Sequence, residues 1–307
     1  MFVTKPRLFF DYALRHRFAF PSFNVCNLEF ARAVIVAAEA EDAPVMLQSY
    51  FGDLHYGGLD VLPQLLRILA EQATVPVLVH QDHPDNDQMI LQTLRRGYYS
   101  VMYDGGHLPL EENIRGAACI TKVAHAMGAA VEAELGLFGG AEGHPGHAEK
   151  ATPEGSRRMV EETGIDTLAP SVGSLHGQSS RLDLHLLEDI AGVTPAPLVL
   201  HGGSGIDRDD LRQALQMNVV KVNIGADIFR AWMKGLKEGA LLESGDDPPH
   251  HATMRHAGTK VSEVARAKLS LMGASSHAQP LRRKLEETSA DLLAGAIAPS
   301  SVLATGR

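Results

Sequence analysis

A closed (β/α)₈ barrel of the TIM type, an α/β fold with a helical extension at its C-terminal end, is what this sequence predicts. Three observations predict it. Eight short β-rich apolar runs recur along the chain, segments with helical spacing lie between them, and polar residues collect where the runs end. Near-continuous apolar strands alternating with amphipathic helices describe a parallel sheet covered by helices.

Taken in order, the strands are expected at 18–25, 44–50, 75–82, 100–106, 130–136, 167–174, 196–203 and 219–227. LEFARAVIVAAEAED opens behind Asn27, whose side chain suits an N-cap. TPEGSRRMVEETG places Thr152 at the cap and Pro153 at the first helical position, where a missing N–H is harmless. IDRDDLRQALQMN starts at Asp207, with its charges placed to suit the helix dipole or solvent. Eight such units in about 230 residues fit a barrel of usual length ~250 residues. A doubly wound open sheet would need a GxGxxG turn after the first strand; here that turn reads Asn24-Val25-Cys26-Asn27. The barrel is expected over residues 1–275. A polar, Pro-containing break at 243–256 precedes a helical stretch around VSEVARAKLSLMG. Residues 276–307 form an Ala- and Leu-rich helical tail, too short for a domain, expected to pack on the barrel or a neighbouring subunit.

Hydrophobic residues make up 45% of the 307, ample for a continuous core. The formal charge of −9 argues against a nucleic-acid partner, which calls for a basic stripe. It leaves room for an anionic small molecule, because backbone N–H groups at helix N-termini hold phosphate without net positive charge. Two cysteines, Cys26 and Cys119, are too few for a disulfide framework and suit a reducing compartment. Pro6, Arg7 and Asp11 interrupt the N-terminal stretch, so it lacks a signal-peptide apolar region. No apolar run approaches the ~20 residues that span a bilayer. A soluble, cytoplasmic protein without a membrane partner is expected.

In this fold, chemistry belongs at the C-terminal ends of the strands. Strand three ends in Asp82-His83, strand four in Asp104-Gly105-Gly106-His107, and strand five carries Glu132 and Glu134. Strand six ends in His176-Gly177, strand seven in His201-Gly202-Gly203-Ser204-Gly205, and strand eight in Asn223. A single histidine at a strand end is usually structural. Three at one rim, each beside a carboxylate or a glycine-rich turn, point to a catalytic zinc site with an open position and a Lewis-acid role. Adjacent strand residues face opposite ways, but a turn at the strand end can bring Asp82 and His83 into the mouth together. Asp82 can then exchange a proton with a substrate hydroxyl; its alternative role is to cap the next helix. LHGGSG lets backbone N–H groups approach a phosphate, with a helix N-terminus behind them. GLFGGAEGHPGHAEKAT is a 17-residue loop, long enough to be a functional lid, with Glu142 in its hinge-like part. Its His144 and His147 have HxxH spacing but are expected to face solvent.

Together these residues resemble the class II, zinc-dependent fructose-bisphosphate and tagatose-bisphosphate aldolase family over about residues 5–275. The shared stretches are FNVCNLEFARAVIVAAEAEDAPVMLQ, VHQDH, SVMYDGGHLPLEENI, VEAELGLFGGAEG, SVGSLHG, LVLHGGSG and KVNIGAD. The resemblance implies zinc on His83, His176 and His201, with Asp104 and Glu134 near an alternative metal position. It implies that Asp82 handles the hydroxyl proton at the cleaved bond and Glu142 the carbon proton. It also implies phosphate contacts at Gly177, Gly202 and Ser204, a dihydroxyacetone contact at Asn223, and polar mouth positions at Asn24 and Ser49. A sodium or potassium ion often accompanies the phosphate site in such enzymes, and a homo-oligomer, dimer or tetramer, is expected. The implied substrate is fructose 1,6-bisphosphate or a close analogue; tagatose 1,6-bisphosphate or another ketose 1-phosphate is the alternative.

Departures from the family pattern bear on the substrate. Ala226 stands where the family usually has Thr, and Phe229 where it commonly has an Arg or Lys for the distal phosphate. Arg230 is one place on, about 100° around a helix; Lys221, Arg181 or Arg255 is another source of the charge. Pro84 and Gln81 also depart from the usual residues around Asp82-His83. Two rivals remain. A zinc hydrolase on this barrel would carry an HxH pair on the first strand, which reads FNVCN. A barrel that has lost activity and serves as a binding or assembly protein would have no use for Asp82, Glu142 and all three histidines.

Overall fold

The computed structural model describes residues 1–138, 149–242 and 250–297. At its centre eight parallel strands close into a barrel in sequence order. They are β1 Phe20–Asn24, β2 Val45–Ser49, β3 Val77–Gln81, β4 Ser100–Tyr103, β5 Ala130–Leu135, β6 Thr167–Pro170, β7 Leu198–Leu200 and β8 Val219–Ile224. β8 closes on β1 with Lys221 opposite Phe20 and Asn223 opposite Ser22. Every residue of these strands is buried, as expected when helices cover the outside of a parallel sheet.

Each strand lies inside its expected window, and each is shorter than that window. The difference falls mainly at the carboxyl ends, where Asp82-His83, Asp104–His107 and 171–174 leave the ladder for rim loops. The twelve helices of the described residues are α1 Pro6–His16, α2 Leu28–Ala40, α3 Phe51–Gly57, α4 Leu62–Gln72, α5 Asp87–Arg95, α6 Leu110–Ala126, α7 Pro153–Thr163, α8 Leu184–Val193, α9 Arg208–Ala214, α10 Ala226–Leu242, α11 His250–Leu271 and α12 Ala278–Ile297. The expected caps are in place: Asn27 Oδ1 accepts from Phe30 N at 3.0 Å, Thr152 Oγ1 from Gly155 N at 3.1 Å, and Asp207 Oδ1 from Asp209 N at 3.0 Å. α5 is capped by Asn86, whose Oδ1 accepts from Met89 N at 3.0 Å. Asp82 is therefore free of that duty.

The polar break expected at 243–256 ends earlier, because α11 begins at His250. Ala257, Val261, Ala265 and Leu269, four residues apart, are all fully buried, and this stripe extends the helix through the polar residues between them. α11 packs on α10 and α2. The approach to α10 is close: a Cβ on Gly235 would lie 2.5 Å from Ala257 Cα. α1 seats Phe9 on Phe20 with ring centroids 3.7 Å apart, at the amino end of β1. Beyond α11, His277 stacks on Phe18 at 4.3 Å, and α12 buries Leu281 and Leu285. Among the described residues no helix is long and apolar enough to cross a membrane.

Candidate active site and metal centre

The carboxyl ends of the strands and the loops after them line a cavity of about 640 Å³. Asp82 and His83 both face it. His83 has φ +28°, a left-handed conformation that an L-residue adopts only when its surroundings hold it there. That bend lets two neighbouring side chains enter one mouth. His176 also faces the cavity, although it does not sit at a strand end as expected: β6 stops at Pro170, and a six-residue stretch of loop carries the imidazole in.

One ring nitrogen from each of His83, His176 and His201 lies within 4.8 Å of the others. His83, Asp104 and Glu134 form a second such group. His83 Nδ1 bonds Asp104 Oδ2 at 2.7 Å, and His201 Nε2 bonds Glu132 Oε1 at 2.9 Å. The opposite nitrogens, His83 Nε2 and His201 Nδ1, are buried without a hydrogen-bond partner, as is Glu134 Oε2. Buried polar atoms are rarely left unpaired, and orphaned imidazole nitrogens that converge fit a metal. These residues suit a cation that takes nitrogen donors, with the His83 and His201 rings each oriented from behind by a carboxylate. Phe138 stacks on His201 and His176, at 5.0 Å and 5.6 Å between centroids, and dries one side of the group.

The charges of the metal-free group follow from burial and neighbours. Burial alone would lower the His83 pKa, but the Asp82 charge, the hydrogen bond that His83 donates to Asp104 and the Glu134 carboxylate outweigh it and raise it to about 10. Burial, aided by the His83 charge, lowers His176 to about 4 and takes His201 well below the usual histidine range. Asp104 is lowered to about 2, the His83 contact overcoming burial, while burial and the Asp104 charge push Glu134 well up. A metal bound here would displace the proton that His83 otherwise holds.

Asp82 is held from two sides: Gln48 Nε2 donates to its Oδ2 and Asn223 Nδ2 to its Oδ1, both at 2.9 Å. Asn24 joins this array by accepting from Gln48 Nε2 at 2.9 Å. Ser49, expected at the mouth, does not line the cavity. Its hydroxyl shares a 2.7 Å hydrogen bond with the Tyr98 hydroxyl, because alternation along β2 turns Gln48 inward and Ser49 outward. Tyr50, one place on, lies in the lining instead.

Gly177, Gly202, Ser204 and Ala226 all line the cavity, and Ala226 opens α10 at one corner of it. Gly202 has φ +66°, and a Cβ there would come within 2.6 Å of Leu175 O, so the turn requires glycine. Ser204 Oγ accepts from Asp227 N at 3.1 Å, which sets the turn against the N-terminus of α10. That corner has the positive dipole end and close backbone an oxyanion needs. Glu142, His144 and His147 lie outside the described residues.

Sequence reasoning missed Gln48, Tyr50, Phe138 and His80, and it offered Lys221 only as a charge for the distal phosphate. The polar ones among the strand residues had a signal. His80, Lys221 and Ser22 each stand two places before a site residue, Asp82, Asn223 and Asn24, and therefore on the same face. Lys221 is fully buried beneath the cavity, and it is not among the lining residues that could meet a distal phosphate.

The pattern of the family described as fructose-bisphosphate aldolase class-II matches residues 5–277. The fructose-bisphosphate aldolase of Streptococcus pyogenes serotype M3 is 40% identical over 249 residues, 78% of this chain and 84% of that protein. That of Geobacillus stearothermophilus is 38% identical over 234 residues, 74% of this chain and 82% of that protein. Among solved structures, the YdjI aldolase of Escherichia coli K12 superposes with a TM-score of 0.80 at 30% identity, covering 91% of this chain and 100% of that one. A putative fructose-1,6-bisphosphate aldolase of Coccidioides immitis reaches 0.81 at 26% identity, over 90% and 98% of the two chains. Barrel, cavity and sequence agree, and the chain belongs to the class II fructose-bisphosphate aldolase family of carbon–carbon lyases.

Proposed function

We infer that the chain reversibly cleaves a ketose phosphate to dihydroxyacetone phosphate and an aldehyde, with zinc on His83, His176 and His201. The observation that carries this reading is the pair of orphaned imidazole nitrogens beside an Asp82 carboxylate held by two amides. A bound zinc supplies Lewis acidity toward the substrate carbonyl. Asp82 takes the proton of the C4 hydroxyl as the C3–C4 bond breaks, its lone pairs aimed by Gln48 and Asn223. Glu142 delivers the proton to C3. Gly177, Gly202, Ser204 and the N-terminus of α10 bind the proximal phosphate, Asn223 and Asn24 orient the dihydroxyacetone portion, and Asp104 with Glu134 offers a second position for the metal. The family relationship supports a monovalent cation, sodium or potassium, beside that phosphate, a homo-oligomeric state of two or four chains, and a cytoplasmic location.

The aldehyde end of the cavity supports a substrate with one phosphate. Among the described lining residues none is Lys or Arg. Phe229 lines the cavity and packs edge-on against Phe30 at 5.5 Å. Arg230 is turned to Asp227 at 2.7 Å, and Arg181 to Asp210 at 2.9 Å. Product analysis with dihydroxyacetone phosphate and a panel of aldehydes tests the reading. Ketose 1-phosphates are the expected products, and their absence with every aldehyde would overturn it.

A further inference from the structure

A third cluster with ligand spacing, His80, Asp82 and Glu132, all buried, runs from Asp82 on the cavity wall into the barrel interior. It already contains a cation. The Lys221 ammonium, fully buried, donates to Glu132 Oε2 at 2.8 Å and lies 3.3 Å from His80 Nε2 and 4.0 Å from Asp82 Oδ1. His80 passes the contact on through Nδ1 to Ser100 Oγ at 2.7 Å. Glu132 in turn meets His201 Nε2 through its other oxygen, Oε1, at 2.9 Å.

We propose that Lys221 is a positioning residue for the metal centre, acting through Glu132 to present His201 Nδ1 to the ion. An ammonium has three donors and no acceptor, so the Glu132 oxygen that faces it must accept. The charge pair pins the carboxylate plane, and the remaining oxygen accepts from His201 Nε2–H. With its proton fixed on Nε2, His201 carries its lone pair on Nδ1, the nitrogen left without a hydrogen bond and 3.4 Å from Glu134 Oε2. Carboxylate-backed imidazoles owe both tautomer and ring orientation to such partners. Here the backing carboxylate has a backing of its own, and one side chain of β8 ties a ligand on the β7 rim to the carboxylate of Asp82 on the β3 rim.

The inference rests on His201 being a zinc ligand, and the test separates the two. Lys221→Met keeps the length and removes the charge. Its zinc dissociation constant, measured by chelator competition, should rise roughly 10–100-fold, the usual effect of losing such a partner. The visible spectrum of its cobalt-substituted form should shift from that of the unaltered protein. Combining it with Glu132→Gln should add little to the loss from Glu132→Gln alone, because both act along one line. In the metal-free unaltered protein, ¹⁵N-histidine long-range correlation spectra should show His201 protonated at Nε2, a readout that does not depend on any variant folding. Unaltered zinc affinity and cobalt spectrum in Lys221→Met, fully additive losses, or a proton on Nδ1 would each overturn the role of Lys221. Full zinc affinity in His201→Ala would instead overturn the ligand assignment, and the inference with it.

Discussion

Asn223, near the end of the last strand, donates its side-chain amide to Asp82, just past the third, at 2.9 Å. The two residues lie on strands that are not neighbours in the barrel. The contact therefore crosses the mouth and fixes one carboxylate oxygen, while Gln48 fixes the other. Asp82→Ala should keep its zinc and lose roughly 10²–10⁴-fold in cleavage rate, the usual contribution of a general acid or base. Asn223→Ala should lose less, about 10–150-fold for one charge-assisted hydrogen bond of ~1.5–3 kcal/mol. Steady-state rates with metal content measured on the same samples check both; an Asp82→Ala protein of normal rate would remove Asp82 from the chemistry.

Metal content is the second test. Elemental analysis should find about one zinc per chain, lost in His83→Ala, His176→Ala and His201→Ala, because two imidazoles cannot complete the site. A chelator should abolish activity. Borohydride added with substrate should leave it intact, since Lys221 is buried in an ion pair below the floor and no imine is required. A His176→Ala enzyme with full zinc and full rate would show the site to be misassigned.

Glu142 is separable from Asp82 by following a different proton. Glu142→Ala should slow the exchange of the C3 proton of dihydroxyacetone phosphate with solvent, read by NMR in deuterium oxide. Exchange at the normal rate would assign that proton to another group.

Substrate preference turns on Phe229. With that ring in the lining and Arg230 held by Asp227, the ratio of kcat/KM for fructose 1,6-bisphosphate to that for fructose 1-phosphate should be modest. Phe229→Arg should raise it by roughly 10–150-fold, one charge-assisted contact. A preference of 10³ or more for the bisphosphate in the unaltered enzyme, an order-of-magnitude threshold beyond that estimate, would show that a cation reaches the distal phosphate from elsewhere.

The docking of α12 should depend on pH. Burial, with the nearby His16 charge, lowers the pKa of His277, which stacks on Phe18. Folding thus favours the neutral ring. The penalty is absent above the ordinary histidine value of 6.5 and grows as pH falls below it, where the undocked ring takes a proton that the docked ring resists. The Tm should fall between pH 7.5 and 5.5, and His277→Gln should flatten that dependence. A Tm profile unchanged by the substitution would remove His277 from the pH response.

Much of this architecture was legible in the sequence because a parallel barrel writes its strands as apolar runs and its chemistry at their ends. Asp82, His83, His201, Asp104, Glu134 and Asn223 stand where those runs stop; the structure lines one cavity with all of them but His201, which is buried against the His83 ring. What escaped did so for local reasons. Ser49 and Gln48 are both polar at the end of one strand, and only the phase of the pleat tells which faces inward. The sequence names His176 as a ligand but places it at the end of a strand; it reaches the cavity on a loop whose path no periodicity reports. Lys221 reads in the sequence as a charge for the distal phosphate, yet its spacing of two from Asn223 on a buried strand places it below the cavity lining. The start of α11 was hidden by the polar residues HHATMRH, although the buried four-residue stripe from Ala257 onward announces a helix.

Closure of the barrel by β1 and β8, with Ser22 opposite Asn223, also orders the birth of the site. A chain leaving the ribosome has all three imidazoles once His201 has emerged, but Asp82 gains its second amide, and Glu132 its ammonium, only when Val219–Ile224 zips against Phe20–Asn24. A nascent chain halted before that strand would carry a histidine set able to find metal and an acid–base residue without its full support, so competence for chemistry arrives last.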